Sequence, residues 1–348
     1  MPFVWSDRHR LHEPRGEVWV GVRTPGTELP ERAERIRAEL ESRGAPSLPA
    51  EEQGDEALAI HDPALLGYLA TAWEGWEAAG LDADPGQDRV VPYLFAHPSL
   101  LHGLGPGVPA AAAARAGRFA YDTMTLIGPG TWAAARAAVD VAVTAADAVL
   151  AGERAVYALC RPPGHHATRD AFGGSCYLNN AAAAAERLRA GVGGPVAVID
   201  VDAHHGNGTQ AIFYEDPGVL TGSVHVDPAA GWFPHFVGFA GERGRGPGAG
   251  ANRNVPLPPG SADEPWLDAV SGLARWAGDA RALVVALGVD AAGGDPEGPL
   301  EVSPGGYRAA GAALAALGLP TVIVQEGGYD LERIGLLVAE TLAGFAEA

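Results

Sequence analysis

Short apolar runs alternate along the chain with longer mixed stretches, and the alternation is clearest in its second half. RAVYALC (154–160), PVAVIDV (195–201), RALVVALGV (281–289) and PTVIVQE (320–326) are continuous, β-branched-rich runs of strand length. Helical patterns separate them, at 131–151, about 176–190, roughly 263–279 and near 304–318, with a last helix closing the chain. Continuously apolar strands that alternate with helices predict a parallel sheet covered on both faces. Before this region, VWVGVR (18–23) reads as a first strand, and 30–43 and 65–80 read as helices. Residues 81–122 are rich in Gly, Pro and Ala with weak periodicity. The part before them is too short and too loosely patterned for a separate core. The stretch therefore reads as a long functional loop inserted into a single α/β domain spanning 1–348.

Composition narrows the function classes. With 348 residues, 47% hydrophobic and 19% charged, the chain can bury a large core. A formal net charge of −19 and the lack of any basic stripe argue against nucleic acid as a partner. Cys160 and Cys176 form no CxxC and no disulfide framework. No secretory pattern opens the sequence and no 18-residue apolar run occurs, so the reading is a soluble cytoplasmic protein with no membrane partner.

The candidate chemistry falls just after the strands. RPPGHHA follows 154–160, DAHHGNG follows 195–201, DAAGGDP follows 281–289 and GGYD follows 320–326. Ligands of open parallel sheets bind at the carboxyl ends of the strands, so topology alone gathers these segments on one edge. In extended chain, i and i+2 point the same way, so Asp202 and His204 reach one point and Asp200 lies a pleat behind. Two carboxylates and an imidazole suit zinc or a similar divalent ion, and Asp290, ending another strand, is the best third ligand. Three protein ligands leave a position open for water and substrate. Any one of these aspartates would also serve as an ordinary helix N-cap. Two aspartates, two His-His pairs and a tyrosine at successive strand ends make a site the stronger reading. His165 and His166, on a turn stiffened by Pro-Pro-Gly, suit general acid/base work, and Tyr329 on Gly327-Gly328 suits donation to an oxyanion.

Together RPPGHHA, FGGSCYLNNAAAAA, VIDVDAHHGNGTQAIFY, SVHVDP, FPHFVGFAGERGRGPGAG, ALGVDAAGGDP and EGGYDLERIG resemble the histone deacetylase superfamily. The likeness is greatest to bacterial acetylpolyamine amidohydrolases and class II-like deacetylases, and it spans nearly the whole chain. The resemblance implies the arginase/deacetylase fold with a central eight-stranded parallel sheet. It implies one zinc per chain on Asp202, His204 and Asp290, with catalytic His165, His166 and Tyr329. It also implies a structural potassium ion at Asp200, the carbonyls of Asp202 and His204, Ser223 and Val224. Asp200 would stand behind His165 and Asn207 behind His166. His205 would pack behind the site. Gly174, Ser175, Phe233 and Asp122 map to substrate contacts, and the long loop implies a homodimer.

Two departures bear on substrate. Ser175 stands where one of two tunnel-wall aromatics is usual, opposite Phe233. Residues 90–120 contain no Asp or Glu, whereas polyamine enzymes place acids in that loop; Asp122 is the nearest. The expected activity is zinc-dependent hydrolysis of an acyl-amide bond on an acylated small amine, an acetylpolyamine or a related metabolite. The alternative is a protein acetyl-lysine deacetylase. A binuclear manganese ureohydrolase needs more carboxylates and histidines than are present, and a catalytically dead binding module conflicts with the intact set.

Overall fold

In a computed structural model, which describes residues 1–83, 86–105 and 107–348, the strands are β1 (Phe3–Trp5), β2 (Glu17–Trp19), β3 (Val22–Thr24), β4 (Ser47–Pro49), β5 (Ala155–Ala158), β6 (Val196–Asp200), β7 (Val219–Val226), β8 (Asn252–Leu257), β9 (Ala282–Leu287) and β10 (Thr321–Gln325). Eight of them form one sheet in the order β4-β1-β5-β10-β9-β6-β7-β8, and every neighbouring pair is parallel.

Period-two alternation splits the strand side chains between two cores. Val156, Val198, Val284 and Val322 pack on one face with Leu65, Tyr68, Ala142 and Leu188, which come from the helices Pro63–Ala78, Thr131–Leu150 and Asn180–Val192. Tyr157, Ile199, Val285 and Ile323 pack on the other with Ile36, Trp266, Leu314 and Leu337, from the helices Pro30–Ser42, Asp263–Trp276, Pro304–Ala315 and Ile334–Glu347. Burial on both faces is why the strands read as unbroken apolar runs. The β5, β10, β9 and β6 strands, which precede the four chemistry-bearing segments, are consecutive in the sheet.

The run at 18–23 is not a sheet strand. It bends at Val20 (φ 48°) and Gly21 (φ 79°), the backbone of a tight two-residue hairpin, and β2 and β3 pair antiparallel outside the main sheet. Its apolar residues stay exposed, Trp19 at 55% and Val20 at 83%. The 81–122 segment is not a plain loop either. It carries helical turns at Pro98–Leu101 and Ala112–Phe119, and Phe119 is buried against Tyr68 with ring centroids 4.7 Å apart. Asp84, Pro85 and Pro106 of that segment lie outside the described residues. No described helix is long and apolar enough to cross a membrane.

Candidate active site

Asp202, His204 and Asp290 converge at the carboxyl edge of the sheet. One ligand atom from each lies within 4.8 Å of the others. His204 Nδ1 stands 3.2 Å from Asp202 Oδ1 and 3.2 Å from Asp290 Oδ2. Both carboxylates are fully buried and fixed by the main chain. Gly327 N–H donates to Asp202 Oδ2 at 2.7 Å, and Ala203 N–H donates to Asp290 Oδ1 at 2.8 Å. A Cβ at position 327 would sit 2.1 Å from Asp290 Oδ2, so only glycine admits this approach. Burial and the neighbouring Asp202 push Asp290 up to about 7. Two buried carboxylates this close favour a divalent cation between them, so the donor set and its electrostatics fit a metal.

The tandem histidines differ in their partners. His165 Nδ1 pairs with Asp200 Oδ2 at 2.9 Å, and His166 Nδ1 pairs with Asn207 Oδ1 at 2.6 Å. Burial opposes charge on His165, yet Asp202 and Asp200 carry it up to about 10. For His166, burial and the neighbouring His165 and His204 hold it well below the usual imidazole range. The two imidazoles are thus pushed in opposite directions, with ring centroids 4.0 Å apart. Tyr121 Oη donates to the His166 carbonyl at 2.9 Å, and Phe233 meets the His166 ring edge-on at 4.8 Å.

Tyr329 reaches the same space. Its N–H donates to Asp295 Oδ2 at 2.8 Å, and the Arg32 guanidinium lies 4.5 Å from its ring centroid. Arg32 also donates to the carbonyls of Gly328 (2.5 Å) and Glu326 (2.6 Å), and Glu28 holds it at 2.9 Å. Glu28 in turn receives Arg161 at 2.8 Å. Burial raises the Tyr329 phenol well above its ordinary value, against the pull of Arg32, so it is a protonated donor at neutral pH.

A cavity of about 490 Å³ opens over these groups. His166, His204 and Tyr329 line its floor with Gly174, Ser175 and Phe233, and Trp232 completes that wall. Gly174 has φ 57°, and a Cβ there would stand 2.3 Å from the His166 ring. Asp122 lines not this cavity but an adjoining one of about 450 Å³ that shares Trp19, Met124, Phe233 and His235 with it. Its carboxylate accepts from Met124 N–H (3.0 Å), Thr125 N–H (2.9 Å) and Gly174 N–H (2.6 Å), so it builds the turn beneath the wall. Asp200 and Ser223 are register partners on β6 and β7, with Val224 next along β7. His205 is buried, with Nε2 3.0 Å from Gln210 Oε1.

Sequence reasoning missed the acids of the mouth. Glu17 on β2 and Glu297, seven residues after Asp290, line the same cavity, with Thr27 between them. Thr27 Oγ1 donates to Glu297 at 2.8 Å and the Thr27 backbone supports Glu17. Neither glutamate has a cationic partner among the described residues. Burial and then Glu297 push Glu17 up to about 7. The acid in GDPEGP was a readable signal; Glu17 lies just before the 18–23 run that reads as an ordinary strand.

A histone deacetylase domain matches residues 27–345. The acetylpolyamine amidohydrolase of Mycoplana ramosa is 40% identical over 350 residues, covering 99% of this chain and 100% of that protein. Acetylpolyamine amidohydrolase 1 of Pseudomonas aeruginosa is 40% identical over 351 residues, with 99% of each chain covered. The crystal structure of the acetylpolyamine aminohydrolase of Burkholderia pseudomallei superposes with a TM-score of 0.93 at 38% identity, covering 99% of this chain and 98% of that one.

Proposed function

The chain belongs to the histone deacetylase family as an amidohydrolase, and from that premise we propose that it deacylates an acylated polyamine in a zinc-dependent reaction. Asp202, His204 and Asp290 would hold the ion. When bound, zinc supplies Lewis-acid polarisation of the acyl oxygen and lowers the pKa of water. His166, neutral and beside Asn207, takes the proton of the attacking water and passes it to the departing amine. His165, held by Asp200 at 2.9 Å, stands beside it as the second imidazole of the acid/base pair. The Tyr329 phenol donates to the oxyanion. A carboxylate and a free amine leave. A structural potassium ion at Asp200, the carbonyls of Asp202 and His204, Ser223 and Val224 belongs to the same reading, supported by the adjacency of those strand ends.

The observation that carries the substrate class is the pair Glu17 and Glu297. A carboxylate drawn out of water is costly without a counter-charge, and the charges acting on Glu17 from Glu297, Asp122 and Glu28 are all negative. An ammonium group further along the substrate supplies that counter-charge while its acyl end lies on the floor. The acids that residues 90–120 lack thus come from the hairpin and from the loop after Asp290. Exposed Tyr93 (73%), Leu100 and Leu104 in 81–122 support a homodimer across that segment, which sedimentation at micromolar concentration tests; a monomer contradicts it. The functional reading is tested by metal content and acetate release on a panel of acetylated polyamines, acetyl-lysine peptides and neutral acetamides. Polyamines should lead. Preferred turnover of acetyl-lysine peptides would make the chain a protein deacetylase instead.

A further inference from the structure

Glu326 directly follows β10, is fully buried, and takes no place in the chemistry above. Its Oε2 accepts two main-chain donors of the histidine turn, Gly164 N–H at 2.7 Å and His165 N–H at 3.1 Å. Its own carbonyl accepts from Arg32 at 2.6 Å, the guanidinium that also holds the Gly328 carbonyl and covers the Tyr329 ring. Its N–H donates to the Leu287 carbonyl at the end of β9, three residues before Asp290. One residue therefore touches the turn carrying the acid/base pair, the turn carrying the phenol and the strand leading to a proposed metal ligand. Its second oxygen, Oε1, is buried without a partner among the described residues. An unpaired buried oxygen is destabilising, so a group kept only for stability would be better replaced by one without it.

Resting on the amidohydrolase reading, we infer that Glu326 is a positioning residue that locks the His165–His166 turn to the Gly327–Tyr329 turn, so that base and oxyanion donor hold one fixed separation. What it supplies is reach rather than charge: a single acceptor oxygen placed under two amides. A shift of about 1 Å at groups this near the reaction costs on the order of 100-fold in rate.

Two variants separate reach from charge. Glu326→Gln keeps the acceptor oxygen at its place and exchanges the unpaired oxygen for an amide. Glu326→Asp keeps the carboxylate and withdraws the acceptor by one methylene, about 1.5 Å. Positioning requires kcat of the Asp variant to fall on the order of 100-fold with KM changed less than about threefold. It requires the Gln variant to recover most of the parent rate. Hydrogen exchange of the peptide carrying Gly164 and His165, measured on metal-free protein, should quicken in the Asp variant and stay slow in the Gln variant. An Asp variant with parent kcat and parent protection overturns the inference while leaving the amidohydrolase reading intact. So does an equal loss in both variants, which would mark a role for charge. A parent chain with no amide hydrolysis would fail the underlying reading instead.

Discussion

The floor and the mouth of the cavity are built by opposite means. On the floor, Asp202, Asp290 and His165 are buried, hang from the ends of central strands, and are held by main-chain donors or by a buried acid. At the mouth, Glu17 sits on a two-stranded hairpin outside the sheet, Trp19 beside it is half exposed, and Phe236 nearby is 88% exposed. A rigid parallel sheet fixes groups that must meet within a fraction of an ångström. Selection of a long, charged substrate asks less of geometry and more of charge, and peripheral elements supply it.

The comparison breaks first at the floor. Asp202→Ala should abolish metal retention and turnover together, read by elemental analysis and acetate release. A metal held elsewhere, or two metals bridged there, removes the mononuclear site. Tyr329→Phe should lower kcat on the order of 100-fold or more with little effect on KM, because the phenol acts on the transition state. Unchanged turnover takes Tyr329 out of the mechanism.

Changes at the wall and mouth should be smaller and confined to selectivity. Ser175→Tyr narrows the wall opposite Phe233, so the ratio of specificity constants for bulky over acetyl substrates should fall about tenfold, roughly 1.4 kcal/mol or about 55 Å² of apolar contact at ~25 cal/mol per Å². Ser175 has φ 61°, and the strain a larger residue carries there cancels in a ratio between two substrates of one variant. A constant ratio means Trp232 already sets the width. Smallest is a pH effect. Glu17 titrates near 7, so it is anionic above that pH and neutral below it. KM for a cationic substrate should rise severalfold from pH 8 to pH 6, and KM for a neutral acetamide should not. Parallel profiles contradict the role of Glu17.

The floor was legible in the sequence and Glu17 at the mouth was not, for the same physical reason. Motifs such as DAHHG follow apolar strands directly, so strand periodicity and the rule for sheet edges locate them without coordinates. Glu17 is a lone acid in VWVGVR's neighbourhood, and the turn at Val20–Gly21 that takes it to the cavity depends on backbone angles the pattern hides. That Asp122 also builds a turn, through the amides of Met124, Thr125 and Gly174, shows only in the packing. Strands β7 and β8 escaped because VLTGSVHV interrupts its apolar run with Thr, Gly, Ser and His, and NRNVPL is an edge strand that tolerates Pro256. Arg32 and Glu28 are unremarkable among the charges of 28–41, and only packing reveals that they brace Tyr329.

The most direct test is the specificity constant for an N-acetylated diamine against an N-acetylated monoamine of equal chain length, in the zinc-loaded parent and in a Glu17→Gln/Glu297→Gln double variant. The parent should prefer the diamine about 30-fold, ~2 kcal/mol, the scale of an ammonium near a partly buried carboxylate. The double variant should lose most of that preference, with its loss on the diamine far exceeding its loss on the monoamine. A parent that releases acetate equally from both, or a preference that survives the loss of both glutamates, would contradict a cation-selecting mouth above a hydrolytic floor.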